Sequence, residues 1–259
     1  MLKEENKFVD SLLFEGMVSV RAILKAQNDG ISDRRIKRIL YSEDRISKIG
    51  KEIAFLRYEG ERKGFTVEPR SEEALSDLAL GNTHGGILAE CSERTIPALK
   101  DSLAGISENG FYVLIEGIED PYNFGYSLRS LYALGIDGVI LTERNWMSAA
   151  GVVSRASAGA SELFPLYRAE PEEAVKIFKN LSYTVLCADI KTNDTLEKSE
   201  LTYPVFLVVG GEKRGISRSV LEKADKIVKI SYGREFGAAL SAASATTILA
   251  YEIAKQNRR

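Results

Sequence analysis

Three segments of the sequence place glycine, small polar residues and charged side chains directly after an apolar run that is typical of a strand. They are EDPYNFGYSLR at 119–129, GGEKRGIS at 210–217 and SYGREFGAALSAASA at 231–245. Glycine allows tight turns and a close approach of backbone to a ligand, and Arg129 and Glu212 add charge. In an open parallel sheet, ligands bind beyond the carboxyl ends of the strands. The three segments are therefore candidates for one shared site.

Each segment taken singly also has a purely structural explanation. GGEKRGIS matches neither GxGxxG nor GxxxxGK[ST], so it indicates neither a dinucleotide cradle nor a P-loop. Asn123 could serve only as a helix cap, and Arg129 could be an ordinary surface arginine. The small residues of 238–245 fit a carboxyl-terminal helix packed closely on a sheet. Only the three segments together favour a ligand site.

The elements that must position these segments are predicted from hydrophobic periodicity. In the amino-terminal half we predict helices at 16–28, 45–62 and 71–80 and strands at 36–42, 64–69 and 85–91. A stretch rich in Gly, Ser and Asn at 97–110 is the predicted linker. Strands are then predicted at 111–117, 138–142, 183–189, 204–210 and 226–231. Continuous apolar strands that alternate with helices predict an α/β fold with a mostly parallel sheet covered on both faces.

Composition limits the classes of partner and cofactor. The net charge of −2 gives no global attraction to polyanions, so local basic patches must supply any attraction to a nucleic acid; the candidates include Arg34, Arg35 and Arg38, and Arg214 and Arg218 in the other half. One histidine and two distant cysteines, Cys91 and Cys187, predict no metal site and two reduced, buried thiols. No apolar run approaches the ~18 residues of a membrane span. We expect a cytoplasmic protein without a membrane partner.

The order and spacing of the three segments resemble the TrmH (SpoU) family of SPOUT RNA methyltransferases. The first motif of that family, Asp-Pro-x-Asn-x-Gly-x-x-x-Arg, is similar to the stretch from Asp120 to Arg129. A Ser-x-Gly-Ala element resembles Ser157 to Ala160, and Gly-x-Glu-x-x-Gly resembles Gly210 to Gly215. The third motif begins at Ile230 and leads into a terminal helix that ends with a typical Tyr-Glu pair, here Tyr251 and Glu252.

One departure concerns the third motif. Family members usually carry Ser-Leu-Asn-Val-Ser, whereas this chain, allowing one inserted residue, has Ala-Leu-Ser-Ala-Ala at 239–243. Smaller groups replace the polar Ser and Asn side chains, which bears on any catalytic or substrate-ordering role assigned to them.

The resemblance implies a two-domain organisation. Residues 1–100 are similar to the small α/β RNA substrate-binding domain (ribosomal-protein L30e-like) that is often fused to these enzymes. Residues 101–259 would form the SPOUT methyltransferase domain, an α/β domain with a deep carboxyl-terminal trefoil knot, a rare exception to unknotted topology. Partners implied by the family are an RNA substrate, presented to Arg34, Arg35 and Arg38, and a second copy in a homodimer.

The resemblance also implies a cofactor and site residues. S-adenosylmethionine would rest near Gly210, Gly211, Ile230, Leu240 and Ala245, and Arg129, Asn123 and Glu212 would form the catalytic set. The sole histidine, His84, lies in the other half, so a histidine base is not expected. The implied reaction is methyl transfer to a ribose 2′-hydroxyl, with large-subunit ribosomal RNA expected as substrate. The alternatives are a transfer RNA ribose methyltransferase and a non-catalytic RNA-binding relative. A nicotinamide-dependent oxidoreductase is disfavoured because no GxGxxG follows the first strand of either half.

Overall fold

The computed structural model describes residues 12–81, 84–118, 120–143, 146–211 and 214–257. Contacts divide the chain into two compact units. The first unit extends to Thr95 and includes Trp146–Leu163, and the second consists of Ile96–Asn145 and Phe164–Arg259. The predicted linker thus opens the second unit, whereas residues 146–163, expected in the methyltransferase domain, pack in the first. The assignment of RNA binding to 1–100 and catalysis to 101–259 stays a prediction.

The bounds of the described elements follow the sequence pattern closely. The helices are α1 (Gly16–Asn28), α2 (Ile46–Lys63), α3 (Glu72–Leu78), α4 (Pro121–Leu134), α5 (Ala150–Ala156), α6 (Pro171–Asn180), α7 (Arg218–Leu221) and α8 (Ala242–Asn257). The strands are β1 (Leu13–Glu15), β2 (Ile36–Ser42), β3 (Thr66–Arg70), β4 (Ile87–Cys91), β5 (Phe111–Glu116), β6 (Gly138–Leu141), β7 (Leu166–Arg168), β8 (Thr184–Ala188), β9 (Val205–Gly210) and β10 (Lys226–Val228).

The first unit is a four-stranded sheet in the order β1-β4-β2-β3, in which only β2 and β3 are parallel. Helix α5 joins this unit because it packs directly on β1. A Cβ on Gly151 would lie 1.9 Å from the Leu13 carbonyl oxygen, so only glycine permits this approach. Arg155 Nη1 also pairs with Glu15 Oε2 at 2.7 Å. Backbone contact and a partly buried ion pair together hold 150–156 against the amino-terminal strand.

The second unit is built on six parallel strands in the order β10-β8-β9-β5-β6-β7. Since all six run in one direction, their carboxyl ends meet at one edge, where the predicted site segments follow them. A cluster of aromatic rings fills the core on one face, with Phe178 of α6 stacked on Phe206 of β9 at 4.0 Å between ring centroids. The predicted α/β class and parallel sheet are confirmed.

Two predicted boundaries differ from the structure for local reasons. The predicted linker at 97–110 contains short 3₁₀ turns at Leu99–Asp101 and Leu103–Gly105, and Leu99 is fully buried in the core of the second unit. The predicted strand at 226–231 ends at Val228, because Lys229 leaves β8 and forms a bridge with Thr195. The chain beyond Val228 is thereby freed to line the edge of the sheet.

Both cysteines are buried, as predicted, and burial raises the pKa of each thiol to about 12. Within the described ranges, no helix has the length and apolarity needed to cross a membrane. The same ranges hold no group of three or more histidine, cysteine or acidic side chains arranged to bind a metal ion.

Arg34 does not lie where the sequence placed it. We predicted that Arg34 contacts RNA from the surface. Its side chain is only 2% exposed, and its Nε donates to Glu162 Oε2 at 3.0 Å. Its Nη1 donates to the Ser92 carbonyl oxygen, and the guanidinium lies over the Phe14 ring. Burial among these partners is incompatible with a surface phosphate contact. In DRRIKR, the alternation of β2 and the loop before it turns Arg34 inward and leaves Arg35 and Arg38 exposed.

We predict that Arg34→Ala lowers the free energy of unfolding of the first unit by about 3–5 kcal/mol. The substitution removes the guanidinium that is paired with the buried Glu162 carboxylate, and breaking one partner of a buried pair carries a cost of that order. The single tryptophan, Trp146, belongs to the first unit, so its fluorescence during urea denaturation reports on that unit.

The matched control is Arg35→Ala, an exposed arginine one residue away, which should change the unfolding midpoint by less than about 0.5 kcal/mol. Equal midpoints for the two variants would contradict a structural role for Arg34.

Candidate active site

A cleft of about 630 Å³ lies at the edge where strands β8, β9 and β10 end. Its walls come from the segments that follow these strands and from the start of α8. This is the position at which ligands bind in open parallel sheets. The described residues that line it are Ala188, Asp189, Ile190, Lys191, Val209, Gly210, Gly211, Arg214, Gly215, Ile216, Arg218, Leu221, Val228, Lys229, Ile230, Tyr232, Ala239, Leu240, Ala242, Ala245 and Leu249.

The loop after β9 requires glycine at two consecutive positions. A Cβ on Gly210 would lie 2.3 Å from the backbone carbon of Gly215, and one on Gly211 would lie 1.8 Å from the Gly117 carbonyl oxygen. Neither contact can be relieved by a rotamer change, because the neighbouring atoms are backbone. Gly215 itself has φ +63°, a conformation that favours glycine. The main chain at Gly210 and Gly211 is thus in direct contact with the main chain at Gly215 and Gly117.

Small side chains at the start of α8 keep the cleft open. Ala242 and Ala245 line it. The loop before the helix is held by a hydrogen bond in which Leu240 N donates to the Tyr232 hydroxyl at 3.2 Å. Ser241 accepts from Ser244 N at 3.2 Å, which is the geometry of a helix N-cap. At the start of α8 the cleft wall is therefore made of backbone and methyl groups rather than of polar side chains.

Glu116, the last residue of β5, is hydrogen-bonded to the segment that follows β9. The Ser217 backbone amide hydrogen-bonds to its carboxylate, while its Oε2 is buried and has no hydrogen-bond partner among the described residues. Burial is the largest influence and raises the pKa of the Glu116 carboxyl above its ordinary value; the Ser217 amide opposes this. The sequence analysis did not single out Glu116, although it lies only three residues before one of the three candidate segments.

The five residues predicted to hold a cofactor come together in this cleft. Gly210, Gly211, Ile230, Leu240 and Ala245 all line it, although the last is 35 residues beyond the first in the sequence. Glu212, predicted to be catalytic, lies outside the described residues. The prediction of a shared site for the segments after β9 and β10 thus agrees with the geometry, and the role of each residue stays a prediction.

The first motif occupies the start of α4, with Asp120 rather than Asn123 as the cap. Asp120 Oδ1 and Oδ2 accept from the backbone amides of Tyr122 and Asn123 at 3.1 and 3.3 Å, and Pro121 occupies the first turn. Asn123 is therefore inside the first turn and half-buried. The predicted core stripe of Phe124, Leu128 and Leu131 is buried, as expected.

Arg129 lies one position off that stripe and is exposed. Neither Arg129 nor Asn123 belongs to the described lining of the cleft. Helix α4 is nonetheless fixed against the helix that walls the cleft, because Thr247 Oγ1 of α8 donates to Ser130 Oγ at 2.8 Å. Arg129 is thus next to Ser130, the residue through which α4 is hydrogen-bonded to α8. Within one chain it faces solvent.

Of the four basic side chains at the cleft, the sequence analysis named Arg214 and Arg218 but not Lys191 or Lys229. Lys191, Arg214, Arg218 and Lys229 line it, whereas Asp189 is the one carboxylate among its described lining residues. Arg218 is paired with Glu222 at 2.7 Å. Lys191 could have been found by the rule already applied to the other strands, since it follows β8 by three residues. The local charge of the cleft is positive although the chain as a whole is acidic.

The remaining predicted residues lie in the first unit. Arg35 and Arg38 are exposed, and Arg38 Nε pairs with Glu90 Oε2 at 2.7 Å across two neighbouring strands. The Ser157–Ala160 element packs on α1, where a Cβ on Gly159 would lie 2.6 Å from Ala22 Cβ. In this structure that element serves the packing of the first unit.

Comparison with known proteins shows which family the chain resembles over most of its length. A profile of the SpoU rRNA Methylase family matches residues 110–251. The chain is 24% identical over 226 residues to the "Putative TrmH family tRNA/rRNA methyltransferase YacO" of Bacillus subtilis, which covers 86% of this chain and 89% of that protein. It is 26% identical over 203 residues to the "23S rRNA (guanosine-2'-O-)-methyltransferase RlmB" of Yersinia pestis, covering 76% of this chain and 80% of that protein.

Solved structures show the same fold. A crystal structure of an RNA 2′-O ribose methyltransferase superposes with a TM-score of 0.77 at 21% identity, covering 94% of this chain and 88% of that one. The SpoU methyltransferase AviRb from Streptomyces viridochromogenes, solved in complex with AdoMet, superposes with a TM-score of 0.74 at 21% identity and covers 95% of this chain and 91% of that one.

We predict that Glu116→Gln raises the thermal midpoint of unfolding at about pH 8 and has little effect near pH 4. The pKa of this carboxyl is higher in the folded than in the unfolded chain, so stability is present below the unfolded pKa and is lost as the pH rises through the folded pKa. The amide removes the buried negative charge and keeps the shape. Circular dichroism melts across this pH range measure the difference.

Glu172→Gln is the control, because hydrogen bonds from Ser219 and Lys223 lower the pKa of that exposed carboxyl. Its effect should have the opposite sign. A Glu116→Gln midpoint below that of the wild type at about pH 8 would show that the carboxylate, not the neutral acid, stabilises the loop.

Proposed function

The chain belongs to the SpoU rRNA methylase family, and on that premise we propose that it transfers the methyl group of S-adenosylmethionine to a ribose 2′-hydroxyl of RNA. One observation carries this proposal above the others. The cleft at the carboxyl ends of β8, β9 and β10 is lined by Gly210, Gly211, Ile230, Leu240 and Ala245. The sequence resemblance assigns the cofactor to these same positions.

The cleft suits the proposed cofactor in size and in chemistry. Its volume of about 630 Å³ lies within the range usual for small-molecule sites. The backbone of Gly210 and Gly211 approaches where any Cβ would collide, which leaves main-chain groups to contact a nucleoside. When bound, S-adenosylmethionine supplies an activated methyl group on its sulfonium, so no residue of the chain is needed to activate a leaving group.

The chain must then hold the ribose hydroxyl in line and stabilise the charge that develops on its oxygen. We assign this role to Arg129, with Asn123 and Glu212 as further members of the site. A guanidinium stays protonated in proteins, so Arg129 acts as a clamp on an RNA phosphate and as a stabiliser of oxygen charge rather than as a base. Asn123, one turn and a half earlier on α4, orients Arg129 or the ribose.

We propose large-subunit ribosomal RNA as the substrate, in the cytoplasm. The relative from Yersinia pestis is named for 23S rRNA guanosine, and the Bacillus subtilis relative for tRNA or rRNA. Transfer RNA is the second candidate substrate. A map of ribose methylation in total RNA, with and without the gene, decides between them: loss of one rRNA methyl group supports the proposal, and loss of a tRNA methyl group replaces it.

A non-catalytic RNA-binding relative is the third alternative, because the third motif is altered. Calorimetric titration with S-adenosylmethionine separates this case. Binding of one cofactor per protomer with methyl transfer to RNA supports the enzyme, and absence of both leaves the RNA-binding relative.

Two further features of the family are proposed for this chain. The first is a homodimer, formed through the exposed apolar side chains of α4 and α8, namely Tyr126, Tyr132, Ile248 and Tyr251. Arg129 lies between Tyr126 and Tyr132 on the same face of α4, so the surface that would join two copies carries the proposed catalytic arginine. The second is the carboxyl-terminal trefoil knot, which the main-chain contacts of Gly210 and Gly211 favour. In the first unit, Arg35 and Arg38 are the proposed phosphate contacts.

We predict that Ala245→Leu weakens S-adenosylmethionine binding by at least about tenfold, since extra methyl groups in a packed site cost roughly 1–3 kcal/mol. Ala245 lines the cleft from a helix, so Leu fills cleft volume without disturbing helix propensity. Isothermal calorimetry measures the change. Ser244→Leu, at the next position and exposed, is the control and should bind the cofactor as the wild type does. Equal affinities for the two variants would place the cofactor elsewhere.

We predict that Arg129→Lys lowers turnover at saturating RNA by about 10²-fold or more, because an ammonium cannot replace a bidentate donor at a developing charge. Methyl transfer from labelled S-adenosylmethionine gives kcat and KM. Arg35→Ala and Arg38→Ala should instead raise KM and leave kcat nearly unchanged, as phosphate contacts supply affinity. Near-normal turnover of Arg129→Lys at saturating RNA would refute the bidentate role.

A further inference from the structure

A second pocket of about 540 Å³ adjoins the cofactor cleft and is not explained by the cofactor. The two cavities share Ile190, Lys229, Ile230 and Tyr232 as a common wall. The outer wall of the second pocket is the loop at 236–238, which carries Phe236. A ligand in this pocket would therefore lie directly beside the ligand in the cleft.

The second pocket is bordered by large apolar side chains that do not contribute to any core. Phe236 is 60% exposed and Ile190 is 67% exposed. Single exposed apolar residues are ordinary, but here two of them flank one cavity together with the ring of Tyr232. The Tyr232 and Phe236 ring centroids lie 6.2 Å apart and their planes are inclined at 53°, so two aromatic rings border the same pocket.

The wall behind the aromatic rings is fixed in place. The Tyr232 hydroxyl accepts from Leu240 N, and Ser231 Oγ donates to Glu197 Oε2 at 3.0 Å. The backbone of Lys229 is bound on both sides, since its amide donates to the Asp194 carbonyl oxygen and its carbonyl oxygen accepts from Leu196 N. Tyr232 is thus a preorganised platform, and preorganisation lowers the entropic cost of binding.

Charge identifies the class of ligand. Lys229 is the one charged side chain among the described residues that line the second pocket, and Lys191, Arg214 and Arg218 line the adjoining cleft against Asp189 alone. S-adenosylmethionine carries a net positive charge and a single carboxylate, so one cation at most is matched by the cofactor and the others are left for another anionic ligand. A polyanion is the partner that they attract. Aromatic faces next to a cationic groove are the usual platform for unpaired bases of single-stranded nucleic acid.

We propose that the pocket bordered by Phe236, Tyr232 and Ile190 receives an unpaired base of the RNA beside the ribose that is methylated. This inference rests on the proposed function, and it adds the substrate class: an RNA strand that is single-stranded, or whose base is extruded, at the target. A base inside a duplex cannot enter a recess of this kind, because its faces are covered by its neighbours. Phe236 stacks on the base, and Lys229 with the cations of the cleft holds the phosphates.

The test measures RNA affinity of the full chain by fluorescence anisotropy. The probes are a short labelled single-stranded RNA of mixed sequence and the same strand annealed to its complement. Phe236→Ala should weaken binding of the single strand by about 5- to 150-fold, as expected for the loss of one base–aromatic stack. Phe236→Tyr should retain wild-type affinity, and Phe236→Leu, which keeps the apolar surface and loses the ring, should resemble Phe236→Ala.

Controls separate the possible causes. Leu103→Ala removes another exposed apolar side chain of the second unit and should not change RNA affinity. The proposal is overturned if Phe236→Leu binds the single strand as the wild type does, or if Phe236→Ala weakens the duplex as much as the single strand. It is also overturned if Phe236→Ala loses S-adenosylmethionine binding in calorimetry, or changes the mass in sedimentation equilibrium, since Phe236 would then pack the cofactor site or a protein interface.

Failure of the proposed function gives a different pattern of results. A wild-type chain that neither binds S-adenosylmethionine nor methylates RNA would refute the methyltransferase proposal. The anisotropy series needs no turnover, so it would still decide whether an unpaired base occupies the pocket.

Discussion

The site depends on main chain touching main chain at the end of β9. Gly210 and Gly211 lie so close to the backbone of Gly215 and Gly117 that any side chain would overlap an atom that cannot move aside. This contact joins the loop after β5 to the loop after β9. Gly210, Gly211 and Gly215 line the cleft, and we call this backbone its floor. Because the floor is backbone, its hydrogen-bonding groups are fixed in position before a ligand arrives, which is the condition for tight binding of a nucleoside without specific side chains.

The longer strands and helices were predictable because the spacing of apolar residues along each of them matches the face that it buries. The parallel strands are continuous apolar runs, and α4 shows its buried stripe of Phe124, Leu128 and Leu131 with Asp120 and Gly135 at its ends. What the sequence does not contain is the long-range partner. Arg34 looks like its exposed neighbours until Glu162, far away in the chain, is brought to it, and the burial of Leu99 depends on a core assembled from the second unit. The three-residue strands β1 and β7 are too short to carry a period.

The candidate site was predictable to a different extent at each of its parts. The segments after β9 and β10 were predicted to form one site because the carboxyl ends of parallel strands lie at the same edge of a sheet. The positive charge of the cleft was not predicted, because the net charge of −2 averages over surfaces that point in different directions, and Lys191 and Lys229 were not recognised as part of the site. Arg129 shows the opposite limit. Its type and its place in the first motif predict a functional residue, whereas the structure of one chain shows only that it is exposed.

The altered third motif changes less of the site than its composition indicates. Ser241 stands where the family usually has Asn, and its hydroxyl accepts from Ser244 N and bonds to Ser244 Oγ at 3.0 Å, so it caps α8. The adjoining cleft wall is formed by the methyl groups of Ala242 and Ala245 and by backbone. Because the proposed cofactor contacts are main-chain groups, removing polar side chains at 239–243 leaves them intact. The substitutions therefore bear on how the RNA is held. The aromatic ring of Phe236, in the loop before α8, offers a way to hold a base without the polar side chains that the family usually carries there.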